Sequence, residues 1–149
     1  MRLYHGTTAP EELIREEGLR VFTQGSLRDY IIGTVGTPKK LIKTLDRAIK
    51  YAWGWHFGPG YIYFTEGFDS AAEYASEPGG EIFELIIASP LPMPEGLKDL
   101  LDRVRTVAKV VEVDVPDEWL TRAGVRVLAH EVAIPWDIGP QYIKKVISV

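Results

Sequence analysis

Residues 60–74 have the sequence GYIYFTEGFDSAAEY, in which a strand pattern is followed directly by a helix pattern. Its first part, YIYFT at residues 61–65, is a run of aromatic and β-branched side chains after a Gly-Pro-Gly turn, and this pattern predicts a buried strand. From Ser70 to Glu73 the spacing is that of a capping box, which predicts a helix containing Tyr74. We therefore expect a strand that passes directly into a helix.

Other strands and helices surround this segment without a regular alternation. Helices are predicted from caps and apolar spacing at residues 8–18 (with Thr8 as the cap), within 33–51, and at 97–107. Strands are predicted at residues 3–5, 81–88, 111–115 (half-solvated), 125–134 and 142–149. Because the two kinds of element are mixed irregularly, the predicted class is α+β rather than a doubly wound parallel sheet.

The composition indicates one domain covering residues 1–149. Apolar residues make up 46% and charged residues 26%, and no apolar run approaches the roughly 20 residues that a membrane span needs. No secretory signal pattern is visible, so we expect a cytoplasmic protein without a membrane partner. The absence of cysteine excludes thiol chemistry, and the net charge of -4 gives no overall attraction to phosphates.

Several familiar catalytic motifs are absent from the sequence. There is no Gly-rich dinucleotide fingerprint, no Walker loop and no serine nucleophile elbow. His130-Glu131 begins a zinc-protease motif, but Ile134 occupies the position of its second histidine. A metal held by His5, His56 and His130 with Glu131 has no supporting spacing, so no metal is predicted.

Four short motifs, spread over nearly the whole chain, have the order and spacing of a known superfamily. They are LYHGTT at residues 3–8, GYIYFTE at 60–66 with Tyr74 eleven residues after Tyr63, HEVAI at 130–134, and IGPQYI at 138–143. In these motifs the chain resembles the ADP-ribosyltransferase superfamily, in its diphtheria-toxin-like and poly-ADP-ribose polymerase-like (His-Tyr-Glu) type.

This resemblance implies a fold of two small antiparallel sheets that form a cleft for NAD+, with flanking helices. It implies NAD+ as the substrate, no metal, and transfer of ADP-ribose to an acceptor that is a protein or a nucleic acid. The catalytic residues it implies are Glu131, His5 and Tyr63. The residues that bind NAD+ are then His5, Gly6, Tyr63 and Tyr74.

Elementary chemistry agrees with these roles. Breaking the bond between nicotinamide and ribose builds positive charge on the ribose, which a carboxylate such as Glu131 stabilises. Two aromatic rings, from Tyr63 and Tyr74, can enclose the flat nicotinamide. His5 can hydrogen-bond a ribose hydroxyl, and the backbone of Gly6 can approach the carboxamide closely because glycine has no Cβ.

Alternatives remain for individual residues. Tyr61 lies two residues before Tyr63, on the same expected strand face, so a change of register would exchange the two. Glu84 and Glu112 are also strand carboxylates, with solvent-facing positions as the ordinary explanation. The basic helix face from residue 39 to 50 is most often a solvated surface, although donor phosphates or a charged acceptor would also suit it.

Alternatives also remain for the function. An RNA 2'-phosphotransferase of the same fold would use several arginines, for which Arg2 and Arg20 are available, but Tyr63 and Glu131 fit that pattern poorly. An NAD+ glycohydrolase and a non-catalytic NAD+-binding module are the other two possibilities. Arginine as the acceptor is disfavoured, because Ala129 stands two positions before the glutamate, where arginine-modifying transferases carry an acidic or amide residue.

Overall fold

The fold is built on an antiparallel sheet of six strands. The structure is a computed structural model, and it describes residues 1–36, 38–55, 60–76, 96–104 and 107–149. The strands are β1 (Arg2–Thr7), β2 (Ile62–Thr65), β3 (Lys109–Asp114), β4 (Arg126–Val127), β5 (Glu131–Ile134) and β6 (Ile143–Ser148). Their order in the sheet is β4-β5-β2-β1-β3-β6. The helices are α1 (Glu11–Glu17), α2 (Gln24–Val35), α3 (Lys39–Trp55), α4 (Phe68–Ser76) and α5 (Leu97–Val104), with 3-10 turns at Asp117–Thr121 and Pro140–Tyr142.

The join between β1 and β2 divides this sheet into two halves. Six residue pairs align β1 with β3, and four align β2 with β5, but only Tyr4 and Thr65 are paired between β1 and β2. The α+β class is therefore confirmed, whereas the expected two sheets are not seen among the described residues. Instead, three strands on each side meet in one sheet at a narrow central contact.

One face of the sheet buries the larger apolar cluster of the protein. Leu3, Ile62 and Phe64 lie on this face, and alternate residues of β3 and β5 continue it. Ile14 of α1 and Trp119 of the first 3-10 turn close the cluster. At full burial each large apolar side chain contributes about 1.5–3 kcal/mol, so this cluster fixes the central strands.

A second apolar cluster joins three helices. Leu45 and Ile49 of α3 pack with Leu27 of α2 and Leu97 of α5. The apolar stripe predicted for residues 41–49 is confirmed, because Leu41, Leu45, Ala48 and Ile49 are all buried. The polar side of α3 is left exposed.

The helix α2 has no counterpart among the predicted elements. Its sequence contains Gly25 and Gly33, which weaken a helical pattern, and among the α2 side chains that the structure describes only Leu27 and Ile31 are fully buried, one turn apart. The helix is started by a capping box between Thr23 and Ser26, in which each side chain accepts from the other's backbone N–H.

Two predicted caps are wrong. The helix α1 begins at Glu11 after Pro10 at the cap position, with no capping hydrogen bond from a side chain, so Thr8 does not cap it. The helix α4 begins at Phe68, which places Ser70 inside the first turn. The chain enters α4 directly from β2, and Thr65 Oγ1 donates to the carbonyl of Gly67 (2.8 Å) in the connecting turn.

Two strand predictions also need correction. The single strand expected at 125–134 is a hairpin of β4 and β5, because the chain reverses between Leu128 and Glu131. The strand β3 is buried on both faces rather than half-solvated, since α4 covers the face that carries Glu112. The strand predicted at 81–88 lies outside the described residues, as does Glu84.

Candidate functional site

The face of the sheet opposite the large apolar cluster carries most of the predicted site residues. Directly opposed residues on neighbouring strands point to the same face, and alternate residues of one strand do so as well. The pairings therefore define what we call the Tyr63 face. Its central members are Tyr4, Gly6, Tyr63, Thr65, Val110, Glu112, Glu131 and Ala133, with Arg126 at the edge.

Gly6 is placed beneath the helix α4 on this face. A Cβ at Gly6 would touch the backbone carbonyl of Ala71 and would lie 2.7 Å from the amide nitrogen and 3.1 Å from the Cβ of Ala75. No side chain fits there, so glycine is required for α4 to rest on the sheet. The ring of Phe68 at the start of α4 packs edge-on against Tyr4 (6.1 Å between centroids) and anchors the same helix.

Glu131 lies on the Tyr63 face, diagonal to Tyr63. Thr65 is directly opposite Glu131, and Ala133 is directly opposite Tyr63, so the diagonal pair is separated by about 7–8 Å between Cα atoms. Both side chains are half-buried. A carboxylate and an aromatic ring thus share one accessible part of the sheet.

His5 reaches this region from the other side of the sheet. Strand alternation puts its side chain with Phe64, whose ring centroid is 5.6 Å away, and 7% of the residue is exposed. The imidazole Nδ1 lies 2.7 Å from the backbone carbonyl oxygen of Tyr63. Because a carbonyl only accepts, Nδ1 is the donor, and Nε2 of a neutral ring is then an acceptor.

This hydrogen bond lies where β1 and β2 separate. Beyond the pair formed by Tyr4 and Thr65, the two strands have no further register pairs, and the His5 ring connects them instead. The structure therefore brings His5 to the backbone of Tyr63. Because side chains alternate along a strand, the His5 imidazole lies on the Phe64 side of β2, whereas the Glu131 carboxylate lies on the Tyr63 side.

Tyr74 stands on α4 at the border of the face. Its neighbour Ala75 is buried against Gly6, and one helical step is about 100°, so Tyr74 projects sideways from the contact with the sheet. The ring is 53% exposed.

Tyr61 and Arg126 extend the site toward the edge strand, and neither pattern nor resemblance singles out Arg126. The Tyr61 ring lies 6.2 Å from the Tyr63 ring, and the guanidinium carbon of Arg126 lies 5.0 Å above the Tyr61 ring. Arg126 pairs with Ala133, which places it in the same cross-strand row as Tyr63. The alternation of Val125, Arg126 and Val127 is the signal that assigns the arginine to this face.

Of the competing carboxylates, Glu112 lies on the Tyr63 face, but the strands β1 and β2 separate it from Glu131. Glu112 is 8% exposed rather than solvent-facing and lies opposite Tyr4, with Arg2 Nε at 3.7 Å. His130 is exposed in the hairpin turn, and His56 lies outside the described residues. In the described part of the chain, no three acidic or histidine side chains are grouped so that they could hold a metal ion.

No family model matches the chain, and no curated protein matches it significantly. Within the described ranges, none of the helices has the length and apolar character required to cross a membrane.

Proposed function

We propose that the chain is an NAD+-dependent ADP-ribosyltransferase with an ADP-ribosyltransferase-like fold, in which the Tyr63 face binds the donor. The observation that supports this proposal best is the placement of Gly6, Tyr63 and Glu131 on one face, with His5 hydrogen-bonded to the backbone of Tyr63 at the opening between β1 and β2. The superfamily resemblance singles out these residues. The sheet brings Gly6, Tyr63 and Glu131 to one face from three distant segments, and His5 lies on the opposite face and reaches Tyr63 through its backbone.

In the proposed complex, the nicotinamide ring lies on Tyr63, with Tyr74 at its exposed side. Stacking of this kind contributes about 0.5–1.5 kcal/mol per aromatic contact beyond burial. The backbone of Gly6 is the neighbour of Tyr63 across the β1–β2 opening, where it can bond the carboxamide. Binding at this position leaves the ribose directed toward Glu131.

The reaction exchanges one bond at the anomeric carbon of the ribose. The bond to the pyridinium nitrogen breaks, and nicotinamide leaves as a neutral molecule with the bonding electron pair. Positive charge develops on the ribose, and the ionised carboxylate of Glu131 stabilises it. The acceptor then supplies an electron pair to the same carbon and loses a proton.

The remaining polar residues orient the donor. His5 acts through Tyr63: its Nδ1 hydrogen bond holds the backbone carbonyl of Tyr63, and so the strand that carries the tyrosine ring, while the imidazole itself lies on the other side of that strand. Arg126, held over Tyr61, provides a positive charge in the row of Tyr63 for the donor's pyrophosphate. Both roles position NAD+ rather than break its bond.

Incubation with NAD+ labelled in the nicotinamide ring and, separately, in the adenylate tests the proposal. We expect release of labelled nicotinamide and transfer of the adenylate label to an added protein or nucleic acid. Free ADP-ribose as the sole product would instead indicate an NAD+ glycohydrolase. Calorimetric NAD+ binding without nicotinamide release would indicate a non-catalytic module, and neither binding nor release would reject the proposal.

A further inference from the structure

The helix α3 carries a one-sided positive surface that the proposed donor site does not use. Its five basic residues are all exposed. The first two of these basic residues are adjacent, and each later one follows at a distance of three or four residues. At about 100° per residue, all five therefore lie within about 100° of one another around the helix axis. We call this surface the α3 basic stripe. Its members are Lys39, Lys40, Lys43, Arg47 and Lys50.

The stripe has no acidic partner on its own helix. Asp46 is the only acidic residue of α3, and its carboxylate is bound by the Arg28 Nε at 2.8 Å. Within the parts of the chain that the structure describes, no ion pair involves the five stripe residues. Five like charges held within about 16 Å of helix repel one another, and an anionic ligand would relieve this repulsion.

The opposite side of α3 excludes insertion into a membrane. Leu45, Ala48 and Ile49 are buried against α2 and α5. A helix that lies in a membrane interface must instead bury an apolar face in lipid. Every side chain of α3 that the structure describes as exposed is charged, and five of these six are basic, so a partner of this surface is recognised by its negative charges.

Charge complementarity favours a strand with regularly spaced phosphates. Lys39, Lys43 and Arg47 follow one another at steps of one helical turn, about 6 Å apart along the axis, with Lys50 continuing the line. The chain as a whole is acidic, at net charge -4, so a rigid duplex passing the stripe would also meet repulsion from the rest of the surface. A flexible single strand can follow the stripe alone.

We infer that the α3 basic stripe binds the phosphate backbone of a single-stranded nucleic acid. The binding is independent of base sequence, because lysine and arginine side chains on a helix surface contact phosphates as charges. This surface lies on a different element from the donor site, so the inference does not depend on NAD+ chemistry.

The test is fluorescence anisotropy of a labelled 12-nucleotide oligo(dT) titrated with the protein at several salt concentrations, without NAD+. We expect binding that weakens steadily with salt. The variant Lys43→Glu with Arg47→Glu should bind about tenfold or more weakly, and the salt slope should fall by about 1.4 for two lost single-strand phosphate contacts. The matched control is Lys98→Glu with Lys144→Glu, which changes the net charge equally at two other exposed lysines and should bind like the unchanged protein.

Three results would overturn the inference. They are no binding at low salt, equal weakening by both double variants, and binding to anionic phosphatidylserine vesicles but not to the oligonucleotide. Circular dichroism of each variant confirms that the substituted helix is folded. Because no NAD+ is present, loss of oligonucleotide binding leaves the transferase proposal intact, and failure of nicotinamide release leaves this inference intact.

Discussion

The Nδ1 atom of His5 lies 2.7 Å from the backbone carbonyl oxygen of Tyr63, and this hydrogen bond connects β1 to β2 where their register pairing has ended. The bond fixes the proton on Nδ1 and sets the orientation of the ring. We therefore expect this histidine to contribute to the stability of the protein.

Replacement of His5 by phenylalanine should destabilise the protein. The carbonyl of Tyr63 loses a buried donor, which costs about 1–3 kcal/mol of the free energy of unfolding. Urea unfolding followed by circular dichroism measures the change. His130→Phe, at an exposed position in the hairpin turn, is the control and should stay within about 0.5 kcal/mol of the unchanged protein. Equal stability of the two variants would show that the His5 hydrogen bond does not hold the strands.

Replacement of Gly6 by alanine should displace α4 from the sheet. The added Cβ would lie 2.7 Å from the amide nitrogen of Ala75, and overpacking of this kind costs about 1–3 kcal/mol. We expect the melting temperature to fall by about 3–10 °C. Gly25→Ala is the matched control, because nothing lies within 4 Å of its new Cβ and alanine favours the helix α2. A melting temperature unchanged in both variants contradicts the packing described.

Replacement of Glu131 by glutamine should reduce nicotinamide release by about 100-fold or more, while the Kd for NAD+ changes little, because the carboxylate acts on charge that develops in the transition state. Release is measured with nicotinamide-labelled NAD+, and Kd by calorimetry. Glu118→Gln, exposed on the first 3-10 turn, should leave both values unchanged. An equal loss of release in Glu118→Gln, or full activity in Glu131→Gln, contradicts the assigned role.

Removal of the Tyr74 ring should weaken nicotinamide binding with little effect on folding, because the side chain is 53% exposed. Loss of one stacking contact corresponds to about a threefold to tenfold higher Kd for Tyr74→Ala. Tyr61→Ala tests the alternative in which Tyr61, rather than Tyr63, binds the nicotinamide. We expect a small effect on the Kd, because the Tyr61 ring lies under Arg126. If Tyr61→Ala weakened nicotinamide binding more than Tyr74→Ala does, the nicotinamide ring would be assigned to Tyr61.

The buried amine of Lys109 should make the free energy of unfolding depend on pH. Its Nζ donates to the carbonyl of Ala9 at 2.8 Å, and burial lowers the pKa of this amine below 10.5, although Glu11 raises it in part. Between the lowered pKa and 10.5 the unfolded chain binds more protons than the folded one, so this group makes stability rise with pH in that window. Below the window the cost of burying the charge is fully present.

The variant Lys109→Met should lack this rise. Urea unfolding at several pH values approaching 10.5 should show the unchanged protein gaining stability relative to Lys109→Met as the pH increases. Lys144→Met, at an exposed position, should run parallel to the unchanged protein over the same range. A difference between unchanged protein and Lys109→Met that is constant with pH would mean that burial does not alter the titration of Lys109.

The sequence predicts those parts of the fold that depend on local patterns. The strand predicted at 61–65 is observed as Ile62–Thr65, because its β-branched and aromatic side chains pack on both faces, and α3 forms where its apolar stripe is regular. The helix α2 escapes prediction because Gly25 and Gly33 interrupt its pattern, and among its described side chains only Leu27 and Ile31 are fully buried. The hairpin at Leu128 to Glu131 escapes because no glycine or asparagine marks the turn.

The candidate site is predictable in its members but not in its arrangement. Residue type and spacing select His5, Tyr63 and Glu131, but strand alternation relative to neighbours decides which face each side chain occupies. Arg126 enters the site only through its pairing with Ala133, and the exposure of Tyr74 follows from how α4 rests on Gly6. These are relations between distant segments, and local patterns do not contain them.

The most direct measurement is a crystal structure of the protein soaked with nicotinamide. We expect the nicotinamide ring to lie on Tyr63 with Tyr74 at its side, the carboxamide to bond the backbone of Gly6, and Glu131 to face the nitrogen that carries the ribose in NAD+. Nicotinamide bound on another surface, or an unoccupied Tyr63 face at concentrations that saturate binding in solution, would contradict it.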